Sequence, residues 1–505
     1  MDISVWFFIS SGLFLGWSLG ANHAVNVFGT AVVSKMVKFK TAALIGGVFV
    51  IIGSVVSGAG TTKTITDLGS INAIAGSFSV ALAVGIAVTL MTKAQLPVST
   101  SQAVIGGIIG WNLFTGSPTD LNSLTKILFS WVASPLIAAI SAFLIFKLIK
   151  NTILKWRIHL LELDYYTRIG LIIVGALASY SLGANNIANV MGMFISAPLF
   201  SDFSVWGLFT ISGIEQLFLL GGLAIAIGIF TYGDRVMETV GTDLYKISPI
   251  TGFVVVLAEF LVLSLFTSQT LEAFLLRNNL PSIPLVPLST TQAFIGAIIG
   301  VGMAKDPLSI DFRVLGRIAA GWVIAPVSAG LMTFISLFFI QNVFEQKVIH
   351  PVPYEISKSV VVKLHKEGID TTNLYDVTGK RYFNTKIFRN ELLERNKYSN
   401  NDLFLIFNLA LVDSFKVDTL LFNDFPDAYK YTPIQKAIIS GLQGKSFSHK
   451  MDFQQAVFVD SVWIKTGNKL EDREMDEKML ALEDLFRVKT NNKKSNHNTP
   501  VKNVK

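Results

Sequence analysis

The chain has 505 residues, of which 51% are hydrophobic and 15% charged, with a mean hydropathy of +0.53 and a net charge of +7. Apolar surface on that scale excludes a soluble fold for most of the length and points to a multi-pass membrane protein with the lipid bilayer as its solvent. The absence of cysteine excludes disulfides and thiolate metal sites, and the basic residues form no patch on a recognisable nucleic-acid-binding fold, so nucleic acid is not an expected partner.

In chain order, apolar runs that reach or approach the length needed to cross about 30 Å of hydrocarbon fall near residues 4–20, 41–58, 71–91, 125–149, 169–182, 204–230, 247–267 and 314–341. The first run is preceded only by Asp2, with no basic stretch and no small-residue cleavage site, so it reads as a span and not as a signal peptide. Lys35, Lys38 and Lys40 follow it, and Lys147, Lys150, Lys155, Arg157 and Arg168 surround the midpoint connector. The positive-inside rule assigns those loops to the cytoplasm. From 351 to 487 the pattern changes: SVVVKLHKEGI and LFLIFNLALVD alternate apolar with charged or polar residues at lengths too short to span, which predicts an appended soluble α/β C-terminal domain. Nothing in it spells a nucleotide loop, a metal cluster or a catalytic triad, and no enzyme activity is expected. Residues 488–505 form a basic, polar tail expected to be disordered.

Two polar motifs occur twice inside the apolar part. Residues 18–27 read SLGANHAVNV and residues 181–190 read SLGANNIANV, identical at 7 of 10 positions; residues 97–110 read PVSTSQAVIGGIIG and residues 287–300 read PLSTTQAFIGAIIG, identical at 10 of 14. Drift in lipid-facing helices keeps apolar character and loses polar residues, whereas here the polar ones persist, so the pattern predicts a site built twice. If the 97–110 segment crosses with its flanks, each half has about five crossings. An odd number makes the two copies, 1–160 and 161–345, insert in opposite senses, the inverted-repeat plan of secondary transporters with a site at the midplane.

The motifs suit such a site. Gly20 and Gly183 allow the backbone to depart from regular helix beside a cavity. Pro97 and Pro287 stand at expected helix starts, followed by Ser99, Thr100 and Ser101 or by Ser289, Thr290 and Thr291. Free amides and the positive end of a helix dipole converge there, a ready anion site that needs no Arg or Lys. The apolar stretches behind them, 103–110 and 293–300, are too short to span alone and read as half-helices of re-entrant helical hairpins. Glu259 and Glu215, inside apolar runs, are functional candidates because an ionisable group in hydrocarbon is costly.

The paired GAN-x-x-x-N and P-x-S-T-[ST] motifs, together with TVGTDLYKISPITGFVVVLAE at 239–259, resemble the PiT family of inorganic phosphate transporters over residues 1 to about 345. The resemblance implies an all-α membrane protein with an inverted duplication that imports phosphate with sodium or a proton. It assigns substrate contact to Asn22, Asn26, Asn185, Asn189, Ser99, Thr100, Ser101, Ser289, Thr290 and Thr291, with Gln102 and Gln292 adjoining. Two departures stand out. The family's Asp after the first motif Asn is replaced by His23 and by Asn186, and its His after each hydroxyl cluster by Gln102 and Gln292. Without that carboxylate pair the expected coupling ion shifts toward H+ through His23, with Na+ retained as the alternative and no resident metal otherwise. The overall expectation is a plasma (inner) membrane symporter of inorganic phosphate with no cofactor. The alternatives are a proton-coupled sulfate transporter and, from another class, an anion channel or a transport-dead receptor signalling through the 351–487 domain. A homo-oligomer is left open.

Overall fold

The structure is a computed structural model that describes residues 3–94, 98–156, 158–197, 199–205, 209–243, 248–305, 312–423, 425, 430–458, 462–463 and 469–488. Two compact units result: one comprises Met1–Pro351 with Thr385–Leu393 and Lys397–Phe404, the other Val352–Asn384, Glu394–Asn396 and Leu405–Lys505.

The first unit is helical. Its first half contains α1 (Ile3–Ala24), which continues through a π-helical turn (Val25–Gly29) into α2 (Thr30–Val33), then α3 (Phe39–Ser57), the short α4 (Ala59–Leu68), α5 (Ile74–Lys93), α6 (Thr100–Thr115) and α7 (Leu121–Trp156). The second half contains α8 (Leu160–Met191), a small antiparallel hairpin of β1 (Phe203–Val205) and β2 (Phe209–Ile211), α9 (Gly213–Asp243), α10 (Pro249–Thr267), the short α11 (Gln269–Arg277), α12 (Thr290–Lys305) and α13 (Phe312–Asn342). Among the described residues, eight helical stretches are long and apolar enough to cross a membrane, each overlapping one of the eight apolar runs in the sequence.

Helix directions establish the inversion. A Cβ on Gly12 of α1 would meet Phe194 and Met191 beyond and at the end of α8, while one on Gly175, early in α8, would meet Phe28 after α1. The two GAN-bearing helices therefore run antiparallel. On α3, by contrast, Gly46 lies by Ser179 and Gly58 by Ile187, so α3 and α8 run the same way. The 16 residues of α6 rise only about 24 Å. They run back along α5, since Gly107 packs on Val84 and Gly76 lies by Trp111. Each motif helix is thus the returning limb of a hairpin, non-helical up to its Ser and helical after it.

Close backbone approach locks the halves together in matched pairs. A Cβ on Gly20 would strike the carbonyl of Ile225, and one on Gly183 the carbonyl of Val50; one on Gly106 would strike the carbonyl of Pro326, and one on Gly296 the carbonyl of Pro135. Small residues let membrane helices approach closely where no hydrophobic force between them exists. The last helix of each half packs on the motif helix of the other. α7 and α13 are also the most lipid-exposed spans, each 22% buried against 78% for the span containing α8. Leu128, Val132, Leu136, Ile140, Leu144 and Leu148 form one exposed stripe along α7 at four-residue spacing.

The second unit mixes helices with two-stranded sheets. β3 (Tyr354–Glu355) pairs with β4 (Arg381–Tyr382), and β5 (Val412–Lys416) with β6 (Ser446–His449), each antiparallel. Phe415, Phe453, Trp463, Leu482 and Phe486 centre one core cluster. Of the expected C-terminal tail only Val488 lies within the described residues.

Candidate anion site at the two motif helices

Both P-x-S-T-[ST]-Q segments start helices as expected of their residues. Ser99 accepts the amide of Gln102 at 3.3 Å and Ser289 that of Gln292 at 3.2 Å, so each motif serine caps its helix. Pro287 precedes the second helix, while Pro97 lies outside the described residues. Ser99, Thr100, Ser101, Gln102, Ser289, Thr290, Thr291 and Gln292 are all at most 5% exposed, and Asn22, Asn26, Asn185 and Asn189 are buried with them.

The two motifs interlock. Ser101 donates to the carbonyl of Leu288 at 2.8 Å, and Thr291 donates to the carbonyl of Val98 at 2.9 Å, so the third hydroxyl of each cluster reaches the chain just before the other. The first asparagine of each GAN motif supports the same carbonyls: Asn22 donates to Val98 at 3.2 Å and Asn185 to Leu288 at 2.9 Å. Asn189 donates to Ser101 at 2.8 Å, a further tie between the halves. Four segments far apart in sequence thus hold each other, mostly by side-chain bonds to backbone, which fixes two helix N-termini beside one another in a buried region.

The symmetry breaks at the residue after each first asparagine. His23 Nε2 lies 3.1 Å from Thr100 Oγ1, and His23 Nδ1 lies 3.0 Å from Thr290 Oγ1 and 3.3 Å from Asn26 Nδ2. The imidazole therefore bridges the first residues of α6 and α12. Its counterpart Asn186 points elsewhere: it donates to the carbonyl of Leu182 at 3.1 Å and accepts from Asn189 at 3.1 Å. Asn185 also accepts the amide of Leu288 at 2.7 Å, whereas the matching oxygen of Asn22 accepts Thr92 Oγ1 at 3.4 Å.

All twelve predicted substrate residues, with His23 and Asn186, come together here. Glu259 does not join their hydrogen-bond network: it is fully buried on α10, with neither carboxylate oxygen hydrogen-bonded. Nor does Glu215, which lies in the first turn of α9 and accepts the amide and hydroxyl of Ser212 at 2.7 and 3.0 Å, an ordinary helix start. Among the described residues no group of three or more His, Asp or Glu could hold a metal ion. Sequence reasoning missed one repeated pair, Trp131-Val132 with Pro135 and Trp322-Val323 with Pro326, although the W-V-x-x-P spacing is legible in both copies. Those prolines lie inside the continuous helices α7 and α13, where the motif helices pack against their carbonyls.

Chemically, the first turns of α6 and α12 leave backbone amides without intrahelical partners, and two dipoles present positive ends. The side-chain oxygens of Gln102, Gln292 and Asn189 are buried acceptors without a hydrogen-bond partner. The arrangement offers many donors and a few acceptors without a fixed charge, which suits a small oxyanion that itself carries a hydroxyl.

Comparison with known proteins agrees. A 27% identical protein of Methanocaldococcus jannaschii, provisionally named a phosphate permease, aligns over 66% of this chain and 97% of its own length. Relatives with similarly provisional names occur in Pyrococcus horikoshii, 28% identical over 64% of this chain and 94% of the relative, and in Haemophilus influenzae, 24% identical over 67% and 97%. A solved structure, that of a protein described as the sodium-dependent phosphate transporter, superposes with a TM-score of 0.55 at 21% identity, covering 67% of this chain and 99% of that one, a likeness of fold. The profile of the phosphate transporter family matches residues 19–333 and again 270–382, so the chain belongs to the phosphate transporter family.

Proposed function

We propose that the protein is a cation-coupled symporter of inorganic phosphate in the plasma membrane, with the anion held between the N-termini of α6 and α12. The observation that carries this reading is the convergence of two capped helix starts, one from each inverted half, onto one buried cluster of hydroxyls and amides. Thr100 and Thr290, with the first-turn amides, supply donors to the phosphate oxygens. The unpartnered oxygens of Gln102, Gln292 and Asn189 supply acceptors for the P–OH hydrogen. Sulfate at neutral pH has no hydrogen to give them, which favours phosphate over sulfate.

The proton is the coupling ion on this reading. Phosphate brings one with it, and His23 is the titratable side chain bonded within the cluster, at the position where the motif resemblance implies Asp. Sodium is the alternative, supported by the solved neighbour, which is described as sodium-dependent. Purified protein in proteoliposomes tests both points: labelled phosphate uptake under separately imposed proton and sodium gradients, with sulfate as competitor. Uptake driven by the proton gradient and resistant to excess sulfate is expected. Strong drive by sodium alone would reassign the ion, and uptake of sulfate in preference to phosphate would reassign the substrate. Replacing Ser99 and Ser289 by Ala, singly and together, should lower phosphate uptake non-additively because the two caps orient one anion.

A further inference from the structure

The geometry points to a second role at the same site: His23 is a positioning residue that satisfies the two motif helices whenever no anion does, and so allows the unloaded carrier to close and return. This rests on the transport reading above.

Hydrogen-bond directions follow from the neighbours. Asn26 Nδ2 and Thr290 Oγ1 both approach His23 Nδ1, at 3.3 and 3.0 Å, and the amide nitrogen can only donate, so in the neutral ring Nδ1 accepts, its one lone pair shared with Thr290 as the nearer donor, and the proton sits on Nε2. The Nε2 proton is then donated to Thr100 Oγ1 at 3.1 Å, and Thr290 donates its hydroxyl proton to Nδ1 at 3.0 Å. Thr290, from the second half, thus gives to an imidazole carried by the first half the one hydrogen it could give an anion. Thr100 accepts from the imidazole and keeps its own hydrogen free. An arriving anion must win Thr290 from His23, while Thr100 can serve both.

A carrier moving one substrate in one direction crosses the membrane loaded and returns unloaded, and in the return step the buried hydroxyls must find another partner or remain unpaired. With Thr100 at 0% and Thr290 at 1% exposure there is little solvent to fill that need. The imidazole fills it across both helices at once. The other half has no equivalent, because Asn186 bonds within α8 and to Asn189. His23 therefore governs the unloaded step more than the loaded one.

Two fluxes separate these steps in the same vesicles. Net phosphate uptake requires the unloaded return, whereas exchange of labelled for unlabelled phosphate at equal concentrations does not. In full-length His23→Ala protein, net uptake should fall about tenfold further than exchange does, the factor corresponding to one unmade buried hydrogen bond in the unloaded state. His23→Gln keeps a donor and an acceptor and should narrow the gap between net flux and exchange; it carries the test if the Ala protein does not fold. Parallel loss of exchange and net uptake in Gln protein that unfolds at the wild-type temperature would make His23 an anion ligand and overturn the proposal. Equal net uptake in folded Ala protein and wild type would overturn it too. Absence of phosphate exchange in wild type would instead refute the transport reading itself.

Discussion

Asn185 and Asn22 occupy equivalent motif positions, yet they should not be equally costly to remove. Asn185 holds Leu288 at both polar atoms, donating to its carbonyl at 2.9 Å and accepting its amide at 2.7 Å. Truncation to Ala leaves the Leu288 carbonyl with Ser101 as donor, but the Leu288 amide loses its side-chain acceptor. Truncating Asn22 leaves the Val98 carbonyl with Thr291, and its other bond, to Thr92 at 3.4 Å, is weak and at a part-buried site. The difference is one buried donor without a partner, worth about 1–3 kcal/mol. For a helical unit of about 350 residues the unfolding entropy converts that to roughly 1.5 to 4 °C. Thermal unfolding of both Ala variants in one detergent, followed by tryptophan fluorescence, reads it directly. Asn185→Ala should melt lower than Asn22→Ala by that interval. Equal melting temperatures, or a lower one for Asn22→Ala, would refute the hydrogen-bond argument.

Other consequences are open to measurement. Gly106→Ala and Gly296→Ala should each destabilise by about 1–3 kcal/mol or more, because the new Cβ meets a proline carbonyl well inside 3.0 Å; Gly47→Ala, whose Cβ would lie 3.4 Å from that of Ala226, should be near neutral in the same melt, and comparable losses at all three sites would deny the crossing its special role. An odd number of crossings in each half, with the basic connector inside, places both chain ends outside: a maleimide that cannot cross the membrane should label Ser399→Cys and spare Thr152→Cys in intact cells, and the converse labelling would reverse the orientation. Burial holds the Asp413 carboxyl above its ordinary value of 3.8, outweighing Arg487 at 2.8 Å. Because the folded value is raised, this group's contribution is fully present below the ordinary value and is lost as pH rises through the folded one. Asp413→Asn should therefore unfold at an equal or higher temperature than wild type at pH 7, with no advantage at pH 3, and a lower temperature at pH 7 would show that the Arg487 pair dominates.

Much of the membrane unit was legible because lipid leaves few options for polar residues. A run such as 247–267 had to be a span, and hydroxyls repeated after a proline had to cap something. What composition could not supply was which hydroxyl meets which carbonyl. Ser101 and Thr291 read as interchangeable ligands, and only the packing of α6 on α13 and of α12 on α7 turns them into crossed struts between halves. His23 was legible as an odd residue but not as a bridge, since Thr100 and Thr290 are 77 and 267 positions away. Glu215 adjoins an apolar run in sequence, and the structure adds that it sits in the first turn of α9 bonded to Ser212, a local pairing that composition does not display.

The π-helical turn at Val25–Gly29 has no copy in the other half, where α8 stays regular to Met191 and ends in a 3₁₀ turn at Gly192–Phe194. Two identical inverted halves would make the outward-open and inward-open forms symmetry-related and equal in free energy, leaving only the ion and phosphate gradients to choose between them. The two halves are not identical, and the unequal turns at the ends of the two GAN motifs are one visible mark of it. The winding of the first helix at the end of its GAN motif is thus one of the differences, with the His23 bridge, that make the two facing states inequivalent.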